Sequence, residues 1–271
     1  TLNIALAGTG VGKSLFMCHC ASSVLLQGKN VLYITLEMAE EKIAERIDAN
    51  LLNIPIQQIG DIPKVMFEKK IGSLAKKTQG KLIIKEYPTA SAHVGHFKSL
   101  IGDLALKRSV KPDIIFIDYL NICASQRYKG SIVNSYTYVK AIAEELRGLA
   151  VETNVPIVSA TQTTRSGYGS SDVDLTDTSE SFGLPATADL MFALISTEEL
   201  EGMNQIMVKQ LKNRYNDPTV YKRFCVGIDR SKMRLYDIDE AQKDLVDSGE
   251  PEVDLVKKFT AKKTFQDLKY D

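Results

Sequence analysis

Near-continuous apolar runs, rich in β-branched residues, recur along most of the chain. They are Leu2–Ala7, Val31–Leu36, Leu82–Lys85, Ile114–Ile117, Ile157–Ala160 and Met191–Ile195. Runs that are apolar on both faces belong in a sheet covered on both sides. Between them, residues 13–27, 39–52, 92–107 and 135–152 carry helical spacing. The last is the clearest, with Val139, Ile142, Ala143, Leu146, Leu149 and Ala150 on one stripe. Gly28 is placed to close the first helix. Strand and helix in alternation predict parallel βαβ units, hence an α/β fold with a mostly parallel twisted sheet flanked by helices. Near the end the pattern changes. Gln205–Leu211, Tyr221–Val226 and Arg234–Ile238 read as antiparallel strands joined by short turns. From about residue 240 the chain turns to mixed charge with too little apolar content to fold alone. The expected division is therefore an α/β domain over 1–239 and a flexible or partner-bound tail over 240–271. The first residues already read as a core strand, so an N-terminal part is expected to precede Thr1.

The first strand runs into Gly8-Thr9-Gly10-Val11-Gly12-Lys13-Ser14 and then a helix. Strand, glycine-rich turn, Gly-Lys-Ser and helix are the context a phosphate-binding loop requires. The glycines let backbone N–H groups turn inward around phosphate oxygens, and the helix N-terminus adds a positive dipole end. Lys13 is expected to reach the β- and γ-phosphates of ATP, and the Ser14 hydroxyl to ligate Mg²⁺. Nucleotide contacts are expected from Gly8, Thr9, Gly10, Val11, Gly12, Lys13, Ser14 and Leu15. One departure is visible: Ala7 stands where the motif has its first glycine.

Ile114–Ile117 delivers Asp118 to the C-terminal end of a buried strand, where a carboxylate holds Mg²⁺ directly or through water. Glu37 ends the second strand. There it either faces the γ-phosphate across the switch point of the sheet, as a general base, or serves as a helix N-terminal acid. Gln162 follows the fifth strand, where an amide can sense the γ-phosphate; a polar strand end is the other reading.

Charge narrows the partners. Lys and Arg total 34 against 34 Asp and Glu, which argues against binding nucleic acid through bulk basicity but leaves room for a local groove or channel. No apolar run is long enough to span a bilayer, so no membrane partner is expected. Four cysteines without framework spacing read as reduced thiols of a cytoplasmic protein. His93 and His96 have no further ligand nearby and read as a structural pair rather than a metal site.

Taken together, these stretches resemble the DnaB-type hexameric replicative helicases, in particular their T-even-like bacteriophage branch, built on a RecA-like P-loop core. The resemblance covers roughly residues 1–235. It rests on Gly8–Ser14, on Thr35-Leu36-Glu37-Met38, on Ile117-Asp118-Tyr119-Leu120, and on Ser170–Asp189 with Glu180-Ser181 and Ala188-Asp189. That family also tolerates alanine at the first glycine position. Arg46-Ile47-Asp48-Ala49-Asn50, Ala141–Arg147 and Gly183–Asp189 read like the phage branch. The resemblance implies an ATP-driven helicase whose sites lie between the subunits of a hexameric ring, with single-stranded DNA through the centre. It makes Glu37 the general base. It implies that Lys212 and Arg214 enter the adjacent subunit's site, Arg214 as an arginine finger. Primase, a helicase loader and single-strand-binding protein are the implied partners, and the host cytoplasm the place of action. A RecA-type recombinase, or a ring ATPase acting on proteins, shares the core and is the alternative.

On the DNA side, residues 163–185 are rich in Gly, Ser, Thr and Asp and lack apolar periodicity. A segment so long and irregular is expected to be functional. Arg165 is its only cation, so phosphates would be held by backbone N–H groups and hydroxyls; the resemblance implies Arg165, Glu180, Ser181 and Gly183 as candidate DNA contacts. Arg127 and Lys129, just past the fourth strand, are candidates too, with a solvated loop as the other reading.

Overall fold

The computed structural model describes residues 1–78, 80–128, 133–163, 173–178 and 183–238. Among the described residues, nine strands form one sheet in the order β3-β2-β4-β5-β1-β6-β7-β8-β9. They are β1 (Leu2–Ala7), β2 (Val31–Thr35), β3 (Leu82–Glu86), β4 (Ile114–Asp118), β5 (Ile157–Gln162), β6 (Leu190–Ile195), β7 (Gln205–Asn213), β8 (Arg223–Asp229) and β9 (Arg234–Tyr236). Pairings from β3 through β6 are parallel, and those from β6 to β9 antiparallel. The helices are α1 (Lys13–Leu26), α2 (Glu40–Leu52), α3 (Ile56–Ile59), α4 (Lys64–Lys77), α5 (Val94–Arg108), α6 (Ser135–Thr153), α7 (Gly183–Thr187) and α8 (Glu198–Gly202).

The central strands are apolar throughout because each serves two cores. Leu2, Ile4, Leu32, Ile34, Ile115 and Ile117 face α5, α6 and α7 through Phe97, Ile142, Leu146, Leu149 and Leu184. The alternate residues Ala5, Val31, Tyr33 and Phe116 face α1 and α2 through Met17, Ala21, Ile43 and Ile47. Cutting one of these buried Leu or Ile side chains to Ala costs ~2–5 kcal/mol.

The expected strands and long helices are present, with ends shifted by a few residues. Helix α4 is an addition to that set. Phe67, Ile71 and Leu74 recur at helical spacing, but none of its residues over 64–76 is buried, and Val65 and Met66 are exposed. The histidine pair is structural. His93 Nδ1 accepts from Gly95 N, and His96 Nδ1 accepts from His93 N, which caps α5. No group of three metal-ligating side chains occurs among the described residues. Nor is any helix among them long and apolar enough to cross a membrane. The expected tail over 240–271 lies outside the described residues.

Candidate functional site

The C-terminal ends of β1, β2, β4 and β5 lie side by side, and each delivers one candidate group. Ala7 pairs with Gln162, and Thr35 with Asp118, so the loop after β1, Glu37, Asp118 and Gln162 meet at one edge of the sheet. In that loop Gly10 and Gly12 have φ of 81° and 125°, a region that side chains strain to enter. Gly12 is also the N-cap residue of α1, which has no side-chain cap and no acid in its first turn. Such a helix start suits an anion. Lys13 Nζ donates to the carbonyls of Ala7 (3.3 Å) and Gly8 (3.1 Å), at the centre of the loop. Leu15 is buried with Leu194 and Ile206, so its side chain serves the core and its backbone is what the loop can use.

Asp118 is fully buried. Tyr33 Oη donates to its Oδ2 at 3.0 Å, while Oδ1 has no hydrogen-bond partner among the described residues. Burial pushes the carboxyl above the ordinary aspartate range; the nearby Ser14 and Tyr33 hydroxyls and Arg46 oppose the rise, and Glu37 adds to it. Lys13 is lowered by burial, against the pull of Glu37 and Asp118. An unpartnered carboxylate oxygen close to a hydroxyl is a donor set that fits Mg²⁺. Glu37 itself is exposed at the mouth of the site. Gln162 Nε2 donates to Tyr119 Oη at 3.2 Å, tying the end of β5 to the residue after Asp118.

The raised pKa of Asp118 has a consequence for stability. Its favourable contribution is present below the ordinary aspartate pKa and is lost as pH rises through the raised value. At pH 7, without metal or nucleotide, Asp118→Asn should therefore melt higher than wild type. With Mg²⁺ and ATP the order should reverse. Thermal melts in chelator and in Mg-ATP check this; a variant less stable in both would refute it.

Lys212 and Arg214 lie elsewhere. Asn213 pairs with Leu190, which pairs with Asn3, so this segment sits at the opposite end of β1 from the phosphate loop. The six residues of β1 separate the two ends, roughly 20 Å. Lys212 Nζ donates to the carbonyls of Pro185 and Ala186. Arg214 pairs with Asp189.

Of the DNA-side candidates, Arg165, Glu180, Ser181 and Lys129 lie outside the described residues. Arg127 is paired with Glu144. Gly183 is buried at the start of α7, where a Cβ would come within 2.7 Å of Lys140 side-chain carbons. Sequence reasoning missed three groups. Glu145 accepts from Ser125 Oγ (2.7 Å) and from the backbone N–H groups of Gln126 (2.8 Å) and Arg127 (3.2 Å), anchoring the segment after β4. Arg230 donates to the Val11 carbonyl at 3.3 Å, over the phosphate loop. Arg147 joins Asp189. None has a local spacing signal, because each partner is distant in sequence.

Known proteins resemble this chain over most of its length. A family model, the DnaB-like helicase C terminal domain, matches residues 1–223. A DnaB-like replicative helicase of Enterobacteria phage T4 is 46% identical over 243 residues, 89% of this chain and 51% of that protein. A probable plasmid replicative DNA helicase of Chlamydia psittaci is 28% identical over 235 residues, 82% of this chain and 49% of that protein. This chain thus spans about half the length of these curated relatives. One solved ATPase domain superposes with a TM-score of 0.73 at 19% identity, covering 88% of this chain and 84% of that one. A DnaB-like replicative helicase, described with its interactions with primase, gives 0.72 at 18% identity, covering 88% and 57%. Those two likenesses show the fold alone. With the family model matching most of its length, the chain belongs to the DnaB-like helicase C-terminal domain family.

Proposed function

We propose that the chain is the ATP-hydrolysing motor of a ring-forming replicative DNA helicase that moves along single-stranded DNA and opens the duplex. The observation that carries the ring is the length of β1: Arg214 stands at the far end of the strand from Lys13, so one subunit supplies half a site at each edge. ATP is held by the Gly8–Ser14 loop and Lys13. Ser14 and Asp118 would hold Mg²⁺, which when bound offsets charge on the phosphates. Glu37 orients and deprotonates the attacking water. Lys212 and Arg214 of the adjacent subunit neutralise charge developing on the γ-phosphoryl group. Gln162, bonded to Tyr119, relays the change to the segment that follows β5. Arg127, Lys129, Arg165, Glu180, Ser181 and Gly183 are the proposed DNA side, aided by backbone groups.

A homo-hexamer, an N-terminal part preceding Thr1, and a tail over 240–271 that engages a partner complete the reading. Primase, a helicase loader and single-strand-binding protein are the proposed partners, and the bacterial host cytoplasm the proposed location. Phosphate release with and without single-stranded DNA tests the motor, alongside mass by light scattering with nucleotide. Stimulation of about tenfold or more by the strand, on a nucleotide-dependent oligomer, is expected. An ATPase indifferent to DNA at every concentration would overturn the reading in favour of a protein-directed ring.

A further inference from the structure

Arg214 does not stand free at the subunit surface. Its Nε pairs with Asp189 Oδ1 at 2.8 Å, and its Nη2 donates to the carbonyls of Ala186 (3.0 Å), Thr187 (3.4 Å) and Ala188 (3.3 Å). Asp189 is 1% exposed, so its charge must be met by protein groups. Leu2 N donates to Oδ2 at 3.0 Å, and Tyr215 Oη to Oδ1 at 3.4 Å. A second guanidinium is also present. Arg147 Nε reaches Oδ1 at 3.2 Å and Oδ2 at 3.3 Å, and its Nη2 reaches Oδ1 at 3.1 Å.

Two guanidinium groups thus share one buried carboxylate. For charge balance in the lone subunit one would suffice. The second acquires a purpose if the first has to leave. A buried carboxylate stripped of its only cation is costlier than either pair is worth, which would lock a single arginine in place. Arg147 comes from α6, whose backbone is fixed by buried Ile142, Leu146 and Leu149. Arg214 instead follows the last residue of β7. We propose that Arg147 is a positioning residue for ATP hydrolysis across the subunit seam: it keeps Asp189 neutralised while Arg214 turns toward the neighbouring copy's triphosphate. This rests on Arg214 acting in trans.

Steady-state ATP hydrolysis by the full-length protein tests it. Arg147→Ala leaves Asp189 holding Arg214 alone, so kcat should fall about tenfold with the KM for ATP within about twofold. Adding Asp189→Asn removes the holding charge and should return kcat to within about threefold of wild type. Arg147→Lys keeps the counter-charge and should retain most turnover. A purely structural knot predicts the opposite for the double variant, a further loss. That result, or a wild-type kcat in Arg147→Ala, overturns the proposal. If Arg147→Ala fails to assemble by light scattering, Arg147→Gln, polar but uncharged, carries the same expected loss and the same refutation. Arg214→Ala separates the two layers. If it abolishes turnover while the Arg147 variants are normal, only this inference fails. If it leaves turnover intact, the trans reading beneath it fails.

Discussion

Alanine at Lys13 should bring ATP turnover down by about 10³ or more, to background. Lys13 is the cation at the centre of the loop, with its ammonium on the carbonyls of Ala7 and Gly8. Two carboxylates, Glu37 and Asp118, act on the same space. Without Lys13 those two acids face a polyanion with no cation from the loop to offset them, so binding and turnover should both suffer. The fold should survive, because the side chain is only partly buried and packs in none of the apolar clusters. Phosphate release, titration with a fluorescent nucleotide and a thermal melt measure the three quantities. Turnover within tenfold of wild type would remove Lys13 from the proposed chemistry.

Arg214→Ala should cost ~10³–10⁵ in turnover, the range an arginine finger contributes. It should leave nucleotide affinity of the subunit nearly unchanged, because the residue is a strand's length from its own phosphate loop. Mixing supplies the sharper test. A subunit carrying Arg214→Ala still offers Lys13 and Glu37, and one carrying Glu37→Ala still offers Arg214. In a random equal mixture about one seam in four joins the two intact halves, so activity should reappear although each parent is dead. Mixtures that stay inactive, despite mixed rings by native mass measurement, would deny the trans arrangement.

Much of the parallel sheet is legible because residues 31–34 and 114–117 are apolar on both faces, as only a doubly covered strand must be. The phosphate loop is legible because its chemistry is local: glycines, Lys13 and Ser14 are contiguous. Asp118 and Glu37 follow from strand ends. The cluster at Asp189 is not legible. One of its cations comes from α6, 42 residues away, and the other from beyond the end of β7, and no periodicity links them. Tyr33 reads as an ordinary strand residue, yet its hydroxyl is what partners the buried Asp118 carboxylate. The packing of Gly183 is not legible either, because the Lys140 side chain it approaches lies far away in sequence.

The six residues of β1 work as a ruler. In the proposed ring they would set the gap between the half-site for ATP and the half-site that a subunit lends to its neighbour. Lengthening β1 and its partner strand β6 by two residues each would move the two apart by about 6–7 Å without disturbing either pocket's local chemistry. Each subunit would then still bind nucleotide, but the ring would be out of phase with its own catalytic groups.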